Sequence, residues 1–409
     1  MQKINMPCLT KEVPGTGGKI KTTIDDFRVS EIPLYTPCGE GEHLYLYIEK
    51  KGIGTFEALR QMASHFKISP KEIGYAGIKD AHAVTRQYFS FPQGVEKSLE
   101  AFSSPSLEVL EAKRHTNKLK TGHLSGNRFE ILIREATGGE NISSILETLQ
   151  RTGVPNYYGE QRFGTQGNTG DVGRALLVGD HAEVLRILFG EATAMDTPLM
   201  AEVKALFQQG KYQEAFQRTP YAMSVEKGIL KSLSMGDNPK NAVRRIPQNM
   251  QHFYVSAYQS FLFNQTLAMR IDNLDRLWKG DIAIKHPGHS VFLVEDEEKE
   301  QPRCASFEIS PTGPLFGYKM LEASGKQGET ERQVLEREKM ELSRFRRFRL
   351  KGERRTYRFP LSELSHKRVP EGILLSFSLP RGCYATAVLR EIMKTDVQDD
   401  FVSQEEEQE

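Results

Sequence analysis

The chain has 409 residues, 38% hydrophobic and 27% charged, with a formal net charge of +1. That length exceeds what one core usually organises, so two domains, or one domain carrying a large insertion, are expected. No stretch reaches the roughly 18 apolar residues a membrane span needs, which excludes a helical membrane protein.

Charge is unevenly spread: Glu391 to Glu409 holds eight acidic residues against one basic, which leaves the rest of the chain at +8. Such a body is mildly suited to a polyanionic partner. Met1 to Gly15 lacks the basic-then-apolar order of a secretory signal, so the cytoplasm is the expected compartment. Cys8, Cys38, Cys304 and Cys383 form no CxxC pair, which argues against a zinc knuckle or a redox motif.

In chain order, Leu44, Leu46 and Ile48 alternate with Tyr45, Tyr47 and Glu49 and predict a half-buried strand. Thr55 is placed to cap a helix whose apolar face is Phe56, Leu59, Ala63 and Phe66, and Ser69-Pro70 to start another. A strand is expected at Gln87 to Phe91 and a second alternating one at Phe129, Ile131 and Ile133. Ile142, Ile145, Leu146 and Leu149 predict an amphipathic helix with Gly153 as its C-terminal cap. The texture changes there, so a domain boundary is expected near 153–156, followed by mainly helical sequence from Arg174 to about Met223. A buried helix is expected over 254–270, a long charged helix from Glu329 to Phe348, a strand at Leu375 to Leu379 and a helix at Ala385 to Met393. The late strand resembles the early ones, which makes the middle of the chain a candidate insertion.

Nucleotide and metal signatures fail on spacing. Gly15 to Lys19 is not a phosphate loop, and His286 with His289 reads as a solvated turn rather than a metal site. The informative segment runs from Gly74 to Gln87. It sets Lys79-Asp80 just after glycines that permit close approach of a ligand. Taken alone, it reads either as a surface turn with an ion pair or as a carboxylate kept ionised by a cation, fit to act as nucleophile or base.

That segment resembles the signature of the TruD family of pseudouridine synthases, AGxKDxxAxTxQ, at each fixed position. Five further stretches resemble family motifs in order. They are Asp26-Phe27-x-Val29-x-Glu31, preceded by Lys21; Gly122-His123-Leu124-x-Gly126-Asn127-Arg128-Phe129; Asn156 to Gly164; Gln259-Ser260-x-Leu262-Phe263-Asn264; and Leu379-Pro380-x-Gly382-x-Tyr384-Ala385-Thr386. Ile24-Asp25, Tyr158 and Tyr384 depart from commoner family choices, and residues 271–340 match little.

The resemblance implies an α+β fold. Its pseudouridine-synthase-like catalytic domain has a mixed, largely antiparallel sheet with helices and is interrupted by an inserted α/β TRUD domain, the two forming a V-shaped cleft. The expected parts are catalytic domain 1–154, inserted domain 155–350, catalytic domain 351–396 and an acidic disordered tail 397–409. The implied activity is isomerisation of uridine to pseudouridine in tRNA, at uridine 13 of the D arm, by a monomer that needs neither metal nor organic cofactor. A non-catalytic tRNA-binding or folding protein and a small-molecule enzyme are the alternatives.

Asp80 is implied as the catalytic carboxylate. Phe27, Phe129 and Tyr384 are candidates to stack on or wall in the flipped base, with core packing the ordinary fate of each ring. Asn127 is a candidate for the uracil edge, or else a turn residue, and Lys21 one for balancing charge near Asp80 or for a phosphate. Arg344, Arg346, Arg347, Arg349, Lys351, Arg354, Arg355 and Arg358, interleaved with Phe345, Phe348, Tyr357 and Phe359, predict an RNA-binding run. Lys113, Arg114, His115, Lys118 and Lys120 form a weaker second candidate.

Overall fold

The computed structural model describes residues 6–395 except 287 and 289. The tail expected at 397–409, and His289 of the 286–289 turn, lie outside the described residues. By internal contacts the chain forms two units, one of Cys8–Val154 with Phe359 onward, the other of Pro155–Arg358 with Met6 and Pro7.

The first unit is built on an eight-stranded sheet: β1 Phe27–Pro33, β2 His43–Lys51, β3 Gly74–Tyr75, β4 Val84–Phe91, β5 Leu107–His115, β6 Leu124–Arg134, β7 Ser362–Val369 and β8 Gly372–Pro380. The strands run in the order β7-β8-β6-β1-β4-β2-β5, with β3 added to β4. Neighbours are antiparallel except β1 and β4, so the sheet is mixed.

Alternation and register together choose the buried face. Val29 pairs with Phe129 and Phe129 with Phe377, while Leu46 pairs with Phe89, and Val29 with Thr85. One face therefore carries Phe27, Val29, Phe129, Ile131, Leu375, Phe377, Leu44, Leu46, Ile48 and Phe89. Three helices cover it: α1 Thr55–Phe66, α2 Ile142–Thr152 and α3 Ala385–Met393, through Leu59, Met62 and Phe66, through Ile142, Ile145 and Leu149, and through Val388, Leu389 and Ile392. Gly153 ends α2 with φ 94°, as its C-cap requires. The opposite face carries Arg28, Glu49, Arg86 and Glu130, the more polar side of this mixed sheet.

In the second unit, six helices between Thr169 and Val243 pack with the long helix Gln248–Arg270 around one core. Four antiparallel strands follow: Ile282–Lys285, Val291–Leu293, Ile309–Leu315 and Glu353–Thr356. The ends of this unit are fastened together, since Asn156 N–H donates to Tyr357 O and Asn156 Nδ2 to Thr356 O, both at 2.9 Å. Residues 351–358, which the sequence groups with the closing segment, thus belong by contact to this unit.

The single charged helix expected over 329–348 is two pieces, an α-helix Gly325–Arg337 and a 3₁₀ segment Leu342–Phe348. Lys339 breaks it at φ 52°, and the turn lets Met340, Phe345 and Phe348 all reach the core. Helices Thr169–Val178 and Gln248–Arg270 touch at Gly173, where a Cβ would lie 2.1 Å from Tyr254 O. Gly173→Ala is expected to force these helices apart and lose about 1–3 kcal/mol, measured by chemical denaturation. No helix among the described residues is long and apolar enough to cross a membrane.

Candidate active site

Asp80 lies on the loop between β3 and β4. β1 pairs with β4 only at Val84 to Arg86 and β3 only at Phe89 and Ser90, so the loop leaves the sheet where one neighbour of β4 gives way to another. A network of buried polar groups fixes it. Thr55 Oγ1 accepts from Lys79 N (2.9 Å) and donates to Gln87 Oε1 (3.2 Å), and Gln87 Nε2 donates to Gly77 O (2.9 Å). Thr55 was expected to cap α1. It is instead the first residue of that helix after Gly54, and its hydroxyl serves the loop.

Below the loop, Lys79 Nζ meets Glu31 Oε2 at 3.0 Å with both side chains buried, and Glu31 Oε1 accepts from Tyr88 N–H (3.4 Å). Burial pushes the Glu31 carboxyl up from its ordinary value, while Lys79 and the Tyr88 amide pull it partly back. Gly77 leaves room for this pair, since a Cβ there would lie 3.2 Å from Lys79 Nζ. Lys79 therefore holds the loop to β1 and is not the cation that faces Asp80.

That cation is Lys21, whose Nζ lies 3.3 Å from Asp80 Oδ2 and 4.6 Å from the centre of the Phe27 ring. Lys21 has φ 55°, which L-residues seldom adopt, and its carbonyl accepts from His82 Nε2 at 3.0 Å. The Asp80 side chain is 52% exposed and the Lys21 side chain 9%. The carboxylate thus faces outward with its counter-ion tucked behind it. Arg134 grips Asp26 through two hydrogen bonds (2.9 and 2.7 Å), anchoring the turn that leads into Phe27. Burial raises the Asp26 carboxyl, but Arg134 and the Thr23 amide outweigh it and hold the group below the usual carboxylate range.

The candidate rings separate into two kinds. Phe27 and Phe129 are core residues, 3% and 7% exposed; their rings meet edge to face at 6.2 Å, and Phe129 stacks on Phe377 at 5.4 Å. Neither presents a free face to a base, because both point into the face covered by helices. Tyr384 is 49% exposed and caps α3 just after β8. Asn127 faces the same side as Phe129, pairs with Glu31 across the β1–β6 ladder, and its buried Oδ1 has no hydrogen-bond partner among the described residues. Lys21 thus touches both Asp80 and the Phe27 ring, with Phe129 against Phe27. Asn127 reaches them through the strand ladder, and Tyr384 lies just beyond the end of β8 nearest Asn127, since Leu379 pairs with Asn127.

The basic run fares differently from its expectation. Phe345, Phe348, Tyr357 and Phe359 are all buried, so none can cover a base. Arg354 forms a buried ion pair with Glu331 (2.8 Å), Arg355 donates to Asn156 Oδ1 (2.6 Å), and Arg358 is enclosed against Cys304 and the Phe307 ring. Only Arg346, Arg347, Arg349 and Lys351 stay exposed. Interleaved cations and rings here mark segments that alternate between core and water. In the weaker run, Lys113 and Arg114 pair with Glu111 and Glu96, Lys118 donates to Lys71 O, and Lys120 is exposed.

Two of the quoted motifs meet inside the second unit. Asn264 Oδ1 accepts from Tyr158 N (2.9 Å) and Asn264 Nδ2 donates to Tyr158 O (2.8 Å), while Arg162 donates to Ser256 and Ser260. Their work there is to bind the 156–164 stretch to the long helix.

The site residues that sequence reasoning missed are Glu31, Thr55, His82 and Gln87. Glu31 and Gln87 stand inside quoted motifs without a role, whereas Thr55, 24 residues before Lys79, carries no local signal.

The family model for tRNA pseudouridine synthase D (TruD) matches residues 3–392. The tRNA pseudouridine synthase D of Syntrophotalea carbinolica is 43% identical over 394 residues, 95% of this chain and 99% of the relative. That of Thermus thermophilus is 38% identical over 397 residues, 96% and 93% of the two chains. Among solved structures, a Methanosarcina mazei protein provisionally designated tRNA pseudouridine synthase D superposes with a TM-score of 0.84 at 26% identity, over 97% of this chain and 99% of that one.

Proposed function

The chain belongs to the TruD family of tRNA pseudouridine synthases, and from that premise we propose that it isomerises uridine to pseudouridine in tRNA, at uridine 13 of the D arm, with Asp80 as its catalytic carboxylate. The observation that carries the reading is the outward carboxylate of Asp80, half exposed on a loop fastened from behind by Thr55, Gln87 and Glu31. A carboxylate held so rigidly stays where a substrate must meet it, which is the positional part of catalysis.

The reaction breaks the bond from ribose C1′ to N1 of uracil, turns the base and joins C1′ to C5. N1 gains a proton and C5 loses one, so the change is balanced without redox chemistry and calls for neither metal nor organic cofactor. Asp80 serves either as nucleophile at C1′ or as the base that removes a ribose proton. Deuterium at ribose C2′ separates the two, since only proton removal gives a primary isotope effect. Lys21 balances the charge of the carboxylate, and Asn127, whose Oδ1 has no hydrogen-bond partner among the described residues, is the proposed contact for the uracil edge.

Tyr384, 49% exposed, is the proposed ring on which an extruded base stacks, with Phe27 and Phe129 as the packed bed behind Lys21. Tyr384→Ala is expected to remove about 1–3 kcal/mol of substrate interaction, read as a fall in kcat/KM, and Tyr384→Phe to retain most of it. The protein is proposed to act in the cytoplasm as a monomer. The deciding experiment supplies tRNA labelled with tritium at uridine C5 and measures tritium release to water. Release identifies the isomerase, whereas binding without release identifies a protein that only holds or remodels tRNA.

A further inference from the structure

Lys21 is already committed, its ammonium lodged between Asp80 and the Phe27 ring and largely covered by protein. A strand that delivers a uridine to Asp80 brings phosphodiesters with it, and those need other donors. The turn from Lys120 to His123 lies against the catalytic loop: Gly122 N–H donates to Ala76 O (2.8 Å), and His123 N–H closes the turn on Lys120 O (3.0 Å). Arg381, from the turn after β8, reaches the same place. Its Nη1 donates to Gly122 O (3.1 Å) and its backbone N–H to Ser125 O (3.0 Å).

Arg381 and Lys120 are both exposed, and neither has an acidic partner among the described residues. The guanidinium is therefore fixed through one nitrogen, while its other N–H groups have no acceptor among the described residues. Space is open beside it, since a Cβ on Gly122, which has φ 87°, would meet nothing nearer than Arg381 Nη1 at 3.9 Å. A guanidinium positioned through one nitrogen, on a turn that also carries an exposed lysine two residues before Gly122, suits a phosphate, which takes two parallel N–H bonds from arginine and a point charge from lysine.

We propose that Arg381 and Lys120, joined at Gly122, form a phosphate subsite that grips the RNA backbone beside the uridine presented to Asp80. This rests on the chain acting on tRNA as proposed above. Lys120 lies just outside the motif that begins at Gly122, and Arg381 occupies a variable position of the closing motif, so neither follows from the motifs themselves.

The test uses the full chain and measures tRNA affinity over a series of KCl concentrations, together with the single-turnover rate of tritium release at saturating protein. Arg381→Gln keeps a donor for Gly122 O but removes the charge. It is expected to weaken tRNA binding roughly tenfold and to lower the slope of log affinity against log salt by about one. Adding Lys120→Ala should lower the slope by about one more, while Arg381→Lys keeps the slope and loses part of the affinity. The saturated rate should stay within about twofold in all three. An unaltered salt slope in the double variant would overturn the subsite, as would a slower saturated rate with unchanged affinity, which marks Arg381 as a support for the loop. Failure of the unmodified protein to release tritium would refute the isomerase reading instead, and affinity and slope still decide the subsite.

Discussion

Asp80→Asn is expected to abolish tritium release from C5-labelled tRNA, lowering the single-turnover rate by about four orders of magnitude or more, while tRNA affinity and melting temperature barely move. The amide has nearly the same shape but can neither attack C1′ nor take up a proton. Stability should change by under about 1 kcal/mol, because the pair with Lys21 is half open to water on the Asp80 side and the ammonium keeps the Phe27 ring. Stopped turnover with intact binding separates loss of chemistry from loss of fold. Turnover by the variant near the normal rate would remove Asp80 from the mechanism.

The second large effect concerns the pair beneath the loop. Glu31→Ala leaves the Lys79 ammonium buried without its carboxylate, and a loss of about 3–5 kcal/mol is expected in chemical denaturation. The double variant Glu31→Leu with Lys79→Met should recover most of that stability, since two apolar side chains need no partner. Tritium release should nonetheless remain depressed in the double variant. Glu31 also accepts from Tyr88 N–H, and the Lys79 ammonium is the tether between the loop and β1. Recovery of both stability and turnover would show that the pair serves only the fold and does not aim Asp80.

Those two experiments probe opposite ends of what the sequence makes legible. Asp80 stands out because its motif is local: Gly77, Lys79 and Asp80 are chain neighbours and can be read together. The role of Lys79 is not legible in that way. Beside Asp80 in sequence it reads as the activating cation, yet it points down to Glu31, 48 residues earlier, and Lys21 takes that place. The residue most misjudged in kind is Thr55, whose position before an apolar face matches a helix cap. Its hydroxyl found a better use as acceptor for the buried Lys79 amide, which would otherwise be left unsatisfied.

The aromatic candidates show the same division. Alternation along β6 puts Phe129 on one face with Ile131 and Ile133, and α2 and α3 advertise their apolar sides by spacing. Whether a ring on that face stays open depends on the helix that covers it, and no period in the strand encodes that. Likewise, the run from Arg344 to Phe359 reads as an RNA surface because composition counts charges without their partners. Glu331 and Asn156, which claim Arg354 and Arg355, are distant in sequence.

By itself, then, the sequence determined four of the strands, several helix faces and the loop that carries Asp80, because periodicity and tight turns are properties of neighbouring residues, while its motifs carried the resemblance that implied the α+β class and the family. Only the tertiary structure decided which cation meets Asp80, which candidate ring is exposed, which arginines are consumed inside and where Arg381 comes to rest. Those outcomes turn on satisfying buried polar groups and excluding water between segments tens to hundreds of residues apart, and such partnerships exist only once the chain has folded.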